Sequence, residues 1–422
     1  MRQSSLANRI RTEMSTWASL AFVLALLEGG VVGVLIKNGF DGQVSDWLLN
    51  ASVAVATGAP FFSNLISFVW VKFSHGRDKA RFVSNLAILC CLCALAISFL
   101  PTSAFGLLLL LSLLIIARVC WSGILTIRST IWRHNYPRHI RAKVAAKLAT
   151  LAALLMSLAA IAAGWILDWR FDAFKWLYSG FAVVSLWGAY RYRYLSVRHQ
   201  HKNLAREKQQ TEKVEFRQMF ALLRQNKPFS RYMLSMFVLG SGNLMFMAPL
   251  IVYLNEYTDV SRSSQILITT AVPLALIPIA VGWWARLLDG NHVFHFRAIH
   301  SWGFVLAISL FLTASISGLN QLYFVGAVFY GVAISGGVIG WNLGHNDFVG
   351  DASPMTYMAV HVTLTGIRGF LAPLLGISFY QWLESVQTGA GQWALTMPLV
   401  VSSIGGLLFV RFNRQRVKGE LK

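Results

Sequence analysis

Charge is what this sequence has least of. Asp, Glu, Lys and Arg make up 13% of its 422 residues, where a soluble globular chain carries about 25%. Acids are the scarcer sign, 17 against 37 bases. Cysteine is also rare: Cys90, Cys91, Cys93 and Cys120 all fall in apolar stretches. They have neither the spacing of a disulfide framework nor that of a zinc site, and read as small buried hydrophobes. No GxxxxGK[ST] phosphate loop and no GxSxG nucleophile elbow is present, so neither ATP nor acyl-transfer chemistry has a visible seat. No cofactor and no metal are expected. His292 and His295 in NHVFHFRAIH have helical spacing, but no acid or cysteine completes a ligand set. The first sixteen residues are polar, carry Arg2, Arg9 and Arg11, and show no cleavable apolar segment.

What is there is apolar length. Runs such as Leu148 to Leu167 and Trp302 to Leu319 recur along the whole chain, each near the roughly 20 helical residues that cross a ~30 Å hydrocarbon core. A barrel would need short alternating segments. These runs are continuous and rich in Leu, Ala and Gly, so they read as helices. Twelve spans are predicted, near 17–37, 49–73, 82–101, 104–130, 143–167 and 174–192, then near 231–254, 263–285, 297–317, 320–344, 355–383 and 392–411. The longest polar segment, HQHKNLAREKQQTEKVEFRQMFALLRQNKPFS, separates the two sets, with a short surface helix expected around Val214 to Leu223.

The formal charge of +20 does not mark a nucleic-acid binder, because no soluble domain exists to carry a basic patch. The bases fall in the loops and set topology. Lys72, Arg77, Lys79, Arg81, Arg133, Arg138, Arg141, Lys143, the central linker and the tail Arg411, Arg414, Arg416 and Lys418 lie on one side; Lys37, Arg170, Lys175 and Arg262 lie on the other. The positive-inside rule then places both termini in the cytoplasm, which an even number of spans satisfies. His134-Asn135 and His345-Asn346 are 345 − 134 = 211 residues apart, as are Asp78 and Asp289. The fold class expected is an all-α polytopic membrane protein, with twelve transmembrane helices in two pseudo-symmetric six-helix bundles. Residues 1–192 form the first, 193–230 the linker and 231–422 the second. Such internal symmetry is that of transporters whose halves rock about a central site.

This layout resembles the major facilitator superfamily over essentially the whole chain. The family's loop between its second and third helices carries Gly…Asp-Arg-x-Gly-Arg-Arg. Here WVKFSHGRDKAR keeps Gly76, Arg77, Lys79 and Arg81 but has Phe73 at the acidic position. The matching second-half loop, GWWARLLDGNH, is a partial copy. The family's fourth helix often bears an Arg followed by Gln-Gly, and ARVCWSGILTIR supplies Arg118 with Ser122 and Gly123. The resemblance implies secondary transport by alternating access, with the first and fourth helices lining a central cavity.

Three ionisable candidates, Glu28, Arg118 and Arg368, lie within predicted spans, and at a helix centre such a residue costs about 2.5–3.5 kcal/mol or more. Glu28 sits mid-span in LALLEGGVVGV, flanked by Gly29 and Gly30 that admit close approach. In the implied fold it would pair with Arg118, a combination similar to that of the superfamily's drug/proton antiporters, where the acid exchanges a proton for substrate. Glu28 and Arg118 are thus the proton-coupling candidates; a static ion pair fixing helix packing is the alternative. Arg368 lies in MAVHVTLTGIRGFLAPLLG, sharing a helical face with His361 and Thr365. That basic, hydroxyl-bearing stripe suits a carboxylate or other anion, which Arg grips bidentately. Arg118, Arg368, His361 and Thr365 are therefore substrate candidates. So are Asn243, in GSGNLMFMAP where Gly and Pro would break the seventh helix, and Asn342 in VIGWNLGHNDF. Trp121, Trp341 and Phe246 offer stacking surfaces. The partners expected are a small-molecule solute, protons and the lipid bilayer of a bacterial inner (plasma) membrane; nothing requires more than a monomer. Anion uptake and export of a lipophilic compound both fit. The degenerate loops favour one reading of another class, a non-transporting sensor or assembly partner on the same scaffold.

Overall fold

The computed structural model describes residues 6–200, 204–205, 207, 216–349 and 354–420, and among them every regular element is a helix. The first half holds α1 (Leu6–Leu27), α2 (Gly29–Gly39), α3 (Asp46–Phe62), α4 (Ser67–Ser74), α5 (Lys79–Ile97), α6 (Ala104–Asn135), α7 (Arg138–Trp169) and α8 (Phe174–Tyr192). A short α9 (Phe216–Gln225) stands where the sequence suggests a surface helix. The second half holds α10 (Lys227–Met245), α11 (Met247–Tyr257), α12 (Arg262–Ile266), α13 (Val272–Asp289), α14 (Val293–Ser317), α15 (Asn320–Leu343), α16 (Pro354–Val386) and α17 (Thr396–Val417).

Several of these helices join end to end as single crossings: α1 with α2, α3 with α4, α10 with α11, and α12 with α13. Eleven segments are long and apolar enough to cross a bilayer. The twelfth, α8, has 19 residues. Lys175, Trp176, Tyr190 and Arg191 near its ends lower its mean hydropathy while suiting the two interfaces. It packs on α1 and α5 as its neighbours pack on each other.

The largest departure from the sequence reading is at the start. The first helix begins at Leu6, and two of its charged residues, Arg9 and Glu13, are buried against partners rather than free in a tail. Glu13 accepts a hydrogen bond from Trp132 Nε1 at 2.6 Å, and Arg9 Nε donates to Ser196 Oγ at 3.2 Å.

Internal symmetry is present, but the pair Asp78 and Asp289 does not express it. Asp78 caps α5, whereas Asp289 ends α13 and His292 caps α14. The true correspondence is between two helix breaks. The first span breaks at Glu28 and the seventh at Phe246, 246 − 28 = 218 residues apart, and the segment that follows each is 11 residues long. Glu28 is extended (φ −64°, ψ 139°) before two glycines of low helix propensity. At the second break Pro249 has no N–H for the Met245 carbonyl. Gly376 of α16 packs against that carbonyl so closely that a Cβ would lie 2.0 Å away.

The two halves meet through α3 against α16 and α7 against α12 and α13. Small residues set these crossings. A Cβ on Gly58 would lie 2.5 Å from the Gly369 carbonyl oxygen, and one on Gly164 would lie 2.7 Å from Ser263 Cα. Overpacking costs about 1–3 kcal/mol, and here backbone faces backbone. The ~1 kcal/mol that alanine gains in helix propensity offsets only part of it. Gly58→Ala is therefore expected to lower the melting temperature of the purified protein, and a melting curve in detergent checks it.

The seam is strongest at the end away from the termini. Lys37 Nζ pairs with Glu256 Oε1 at 2.5 Å and donates to Asn50 Oδ1 at 3.0 Å, while Tyr380 donates to Glu256 Oε2 at 2.5 Å. Arg262 Nε donates to Asn38 Oδ1 at 2.9 Å, and Asp168 accepts from the Ser263 amide at 3.1 Å. Lys37 and Arg262, read from sequence as loop charges, thus join the halves; Lys37 is 3% exposed. At mid-height Ser157 donates to the Ala271 carbonyl at 2.8 Å. Among the described residues no hydrogen bond or ion pair joins the halves at the end that carries the termini.

At that end the loop after α4 lacks its acid, and the linker supplies one. Glu207 accepts from the Gly76 amide at 2.9 Å and from Lys79 Nζ at 2.7 Å. Burial opposes its charge, but these hydrogen bonds outweigh burial and hold the carboxyl below its ordinary range. A depressed carboxyl stabilises above its unfolded pKa and loses that contribution as pH falls through the folded value. The clamp should therefore hold at neutral pH and release only in acid, below the ordinary carboxylate range. Amide exchange at Gly76 checks this: Glu207→Gln at pH 7 is expected to weaken its protection, and unchanged protection would show that the linker does not hold the loop.

Candidate transport site

Glu28 and Arg118 come together as the sequence anticipates. Arg118 Nη2 lies 3.2 Å from Glu28 Oε1. The same nitrogen donates to the Leu27 carbonyl, one of the acceptors left without a helical partner where α1 stops. The guanidinium is almost fully buried, whereas the carboxylate is 29% exposed. One partner is thus locked to the backbone and the other faces open space. Glycine makes the arrangement possible. A Cβ on Gly29 would lie 2.7 Å from Thr57 Cα, and one on Gly30 would lie 2.1 and 2.6 Å from the Thr270 and Thr269 hydroxyls. The broken first span is therefore wedged between α3 and the π-turn Leu267–Ala271 of the eighth crossing, so Glu28 stands where the two halves face each other.

His361, Thr365 and Arg368 share one face of α16, also as expected. Arg368 donates to the Met236 carbonyl through Nη1 and to Thr365 Oγ1 through Nη2 at 3.3 Å. Trp341 Nε1 donates to the same hydroxyl at 3.3 Å. Gly240 leaves room for the guanidinium, since a Cβ there would lie 2.0 Å from Arg368 Nη1. The His361 ring sits 5.4 Å from that of Trp341 and 6.5 Å from that of Tyr232.

The two asparagines do not join this group. Asn243 Oδ1 accepts from Ser402 Oγ at 3.1 Å and ties α10 to α17. Asn342 is exposed and donates to the Val338 carbonyl of its own helix at 2.7 Å. Nor do two of the aromatic candidates: Trp121 packs edge-on against Trp17, and Phe246 stacks on Phe311 within the core. Three ionisable residues held by the fold went unread in the sequence. Glu13, fully buried, is one. Arg128, sandwiched between Trp17 and Trp132 at 4.0 and 4.3 Å from their ring centroids, is another. The third is the buried Arg297 of α14. The sequence reading ends the fourth span at 130 and begins the ninth at 297, so a boundary error of about a turn made both arginines look like edge residues. Among the described residues no three His, Cys, Asp or Glu side chains gather as a metal site.

This geometry has known counterparts. The sequence pattern of the Major Facilitator Superfamily matches residues 18–373. No curated protein sequence matches the chain at significant similarity. Among solved structures, the D-xylose-proton symporter aligns over 97% of this chain and 98% of its own at 13% identity, with a TM-score of 0.74. The nucleoside transporter NupG aligns over 96% and 98% at 13% identity and a TM-score of 0.66. A bacterial homolog of the human lysosomal transporter Spinster, inward-facing and unoccupied, covers 99% and 98% at 15% identity and a TM-score of 0.68. With the fold shared from end to end and the sequence pattern spanning most of its length, the chain belongs to the major facilitator superfamily, as an integral membrane transporter and not an enzyme.

Proposed function

We propose that the chain is a proton-coupled secondary transporter in which Glu28 carries the proton and Arg118 holds it in place. The observation that carries this reading is the Glu28–Arg118 pair, with its carboxylate partly open and its guanidinium fixed to the end of α1. Protonating Glu28 cancels the attraction across the pair and leaves Arg118 tied to the backbone alone. The loss of that attraction is felt at the helix break, where α2 lies against both α3 and the eighth crossing. A proton is thereby linked to the surface along which the halves must move.

In this reading residues 1–192 and 231–422 are the two rocking bodies and 193–230 is their tether. The seam around Lys37 and Glu256 closes one side, and at the end bearing the termini no hydrogen bond or ion pair among the described residues holds the halves together. The basic loops at that end assign it to the cytoplasm, so this state faces inward. Arg118, Arg368, Thr365 and His361 are the groups that would meet the solute; Asn243 and Asn342, engaged elsewhere, are not.

The test is solute-driven proton flux in proteoliposomes, with organic acids and cationic drugs screened side by side. Flux is expected in the wild type and none in Glu28→Gln. Equal flux in both would remove Glu28 from the coupling. A folded wild type that moves no proton with any solute would instead favour the sensor reading.

A further inference from the structure

The interior charges of the two halves are balanced differently. In the first half both Arg118 and Arg128 have an acid near them: Arg118 pairs with Glu28, and Glu13 lies beside Trp132, one of the two rings that sandwich Arg128. The second half buries Arg297 and Arg368 and provides no such acid. Its described carboxylates lie at the two ends: Glu256, Asp259 and Glu384 at one, Asp289, Asp347 and Glu420 at the other. Among the described residues no ion pair joins Arg297 or Arg368 to any of them; Asp347 is taken up by the Val293 amide at 2.6 Å and by His292.

Histidine does not supply the missing counter-charge. His300 Nε2 faces the Ala333 carbonyl at 2.7 Å, so that nitrogen carries the hydrogen. His300 Nδ1 then accepts from Arg297 Nη1 at 3.1 Å, which makes the ring neutral. Several polar atoms are left over. Among the described residues, Arg297, 2% exposed, has no hydrogen-bond acceptor at Nε and Nη2, Arg368 has none at Nε, and neither ring nitrogen of His361, 1% exposed, has a partner. The charged and titratable groups that face His361 are Arg368, Arg297 and His345, none of them an acid. The Tyr232 hydroxyl, which donates to the Gly340 carbonyl at 3.3 Å, lies beside Arg297 and offers it a neutral oxygen, with Arg368 and the outlying Asp347 also within its electrostatic reach. Gly340 leaves room for the Arg297 guanidinium itself, since a Cβ there would lie 2.6 Å from Nη2. Two buried guanidiniums with unmet donors are costly in a low-dielectric interior, and an anion sharing their environment would offset that cost.

We infer that the interior of the second half is an oxyanion site, formed by Arg297, Arg368 and His361 with Thr365, that takes a carboxylate or phosphate-type group. Guanidinium forks match the paired oxygens of such groups and hold them by charge-assisted hydrogen bonds. Trp341, partly exposed, leans over His361 and Thr365 and presents an aromatic wall to whatever the anion is attached to. The site rests on the transporter reading only where the anion is named as cargo; the binding itself follows from the uncompensated arginines.

The test uses the purified full-length chain in detergent at constant ionic strength, titrated separately with benzoate, inorganic phosphate and sodium chloride. Benzoate or phosphate is expected to raise the melting temperature saturably, by about 2–4 °C at a hundredfold excess over Kd. Which of the two acts separates an organic carboxylate from a phosphate ligand. Arg297→Gln and Arg368→Gln are expected to abolish the shift, and His361→Gln and Thr365→Val to weaken the apparent affinity about tenfold, which keeps the test informative if an arginine variant does not fold. Chloride alone producing the shift, no shift with either oxyanion, or an undiminished shift in the folded variants would each overturn the assignment. Glu28→Gln is expected to keep the shift while losing proton flux, so failure of the coupling and failure of the anion site read out separately.

Discussion

Glu28→Gln should leave a folded, membrane-inserted protein whose solute-driven proton flux has fallen to the background of empty liposomes. The substitution removes the titrating oxygen but keeps an amide carbonyl as acceptor, and Arg118 retains its bond to the Leu27 carbonyl. Removing one partner of a buried pair outright costs about 3–5 kcal/mol. Because the carboxylate is 29% exposed, the cost of Glu28→Gln belongs at or below the bottom of that range. Arg118→Gln is the harsher change: it strands the carboxylate and also frees the Leu27 carbonyl, so folded yield should drop further. The pH profile gives the sharper reading. Any solute movement that survives in Glu28→Gln should no longer depend on a proton gradient. A gradient-dependent flux in that variant would mean the proton travels by another group, and Glu13, buried against Trp132, would be the next to replace.

Glu256→Gln is the second large effect, at the opposite end of the seam. Lys37 is 3% exposed and relies on Glu256 for its counter-charge, with Asn50 as a neutral second acceptor and Tyr380 sharing the same carboxylate. Breaking a buried pair costs about 3–5 kcal/mol, and with Glu256 27% exposed this one belongs near the bottom of that range. The closed arrangement bears that cost, because only there does Lys37 lie away from water. If about half of it reaches the opening equilibrium, the open population rises about tenfold. A cysteine at Val53, fully buried beneath this seam, is the reporter, and the four native cysteines are buried and make a quiet background. A membrane-impermeant maleimide applied from the side away from the termini should label Val53→Cys slowly alone and about ten times faster with Glu256→Gln. Equal rates would show that the Lys37–Glu256 pair packs the helices without gating them.

The sequence reading succeeds where a property is local and fails where a partner is remote. All twelve crossings are visible in it because each must cover the same hydrocarbon thickness with apolar side chains. Their ends are not. Arg9 and Glu13 look like tail residues and Arg128 and Arg297 like span-edge residues, because what satisfies them comes from elsewhere in the chain or lies past the apparent end: Trp132 for Glu13, Ser196 for Arg9. The missing acid of the loop after α4 is a similar case. Phe73 reads as a lost latch, while Glu207 supplies a carboxylate from the linker, at a position no motif would indicate.

The amino-acid order by itself determined the membrane class, the number of crossings, the placement of basic loops at one end, and the shared face of His361, Thr365 and Arg368. Each follows from composition or helical periodicity over short stretches of chain. Tertiary structure alone decided which charges have partners. It set Glu28 against Arg118 and Lys37 against Glu256, drew Asn243 off to Ser402, and left Arg297 and Arg368 with no acid paired to them among the described residues. The physical reason is range. A buried ion's energy depends on what lies within a few ångströms of it, and in a bundle of crossing helices those neighbours are far away along the chain: 91 residues from Arg118 to Leu27, and 219 from Lys37 to Glu256.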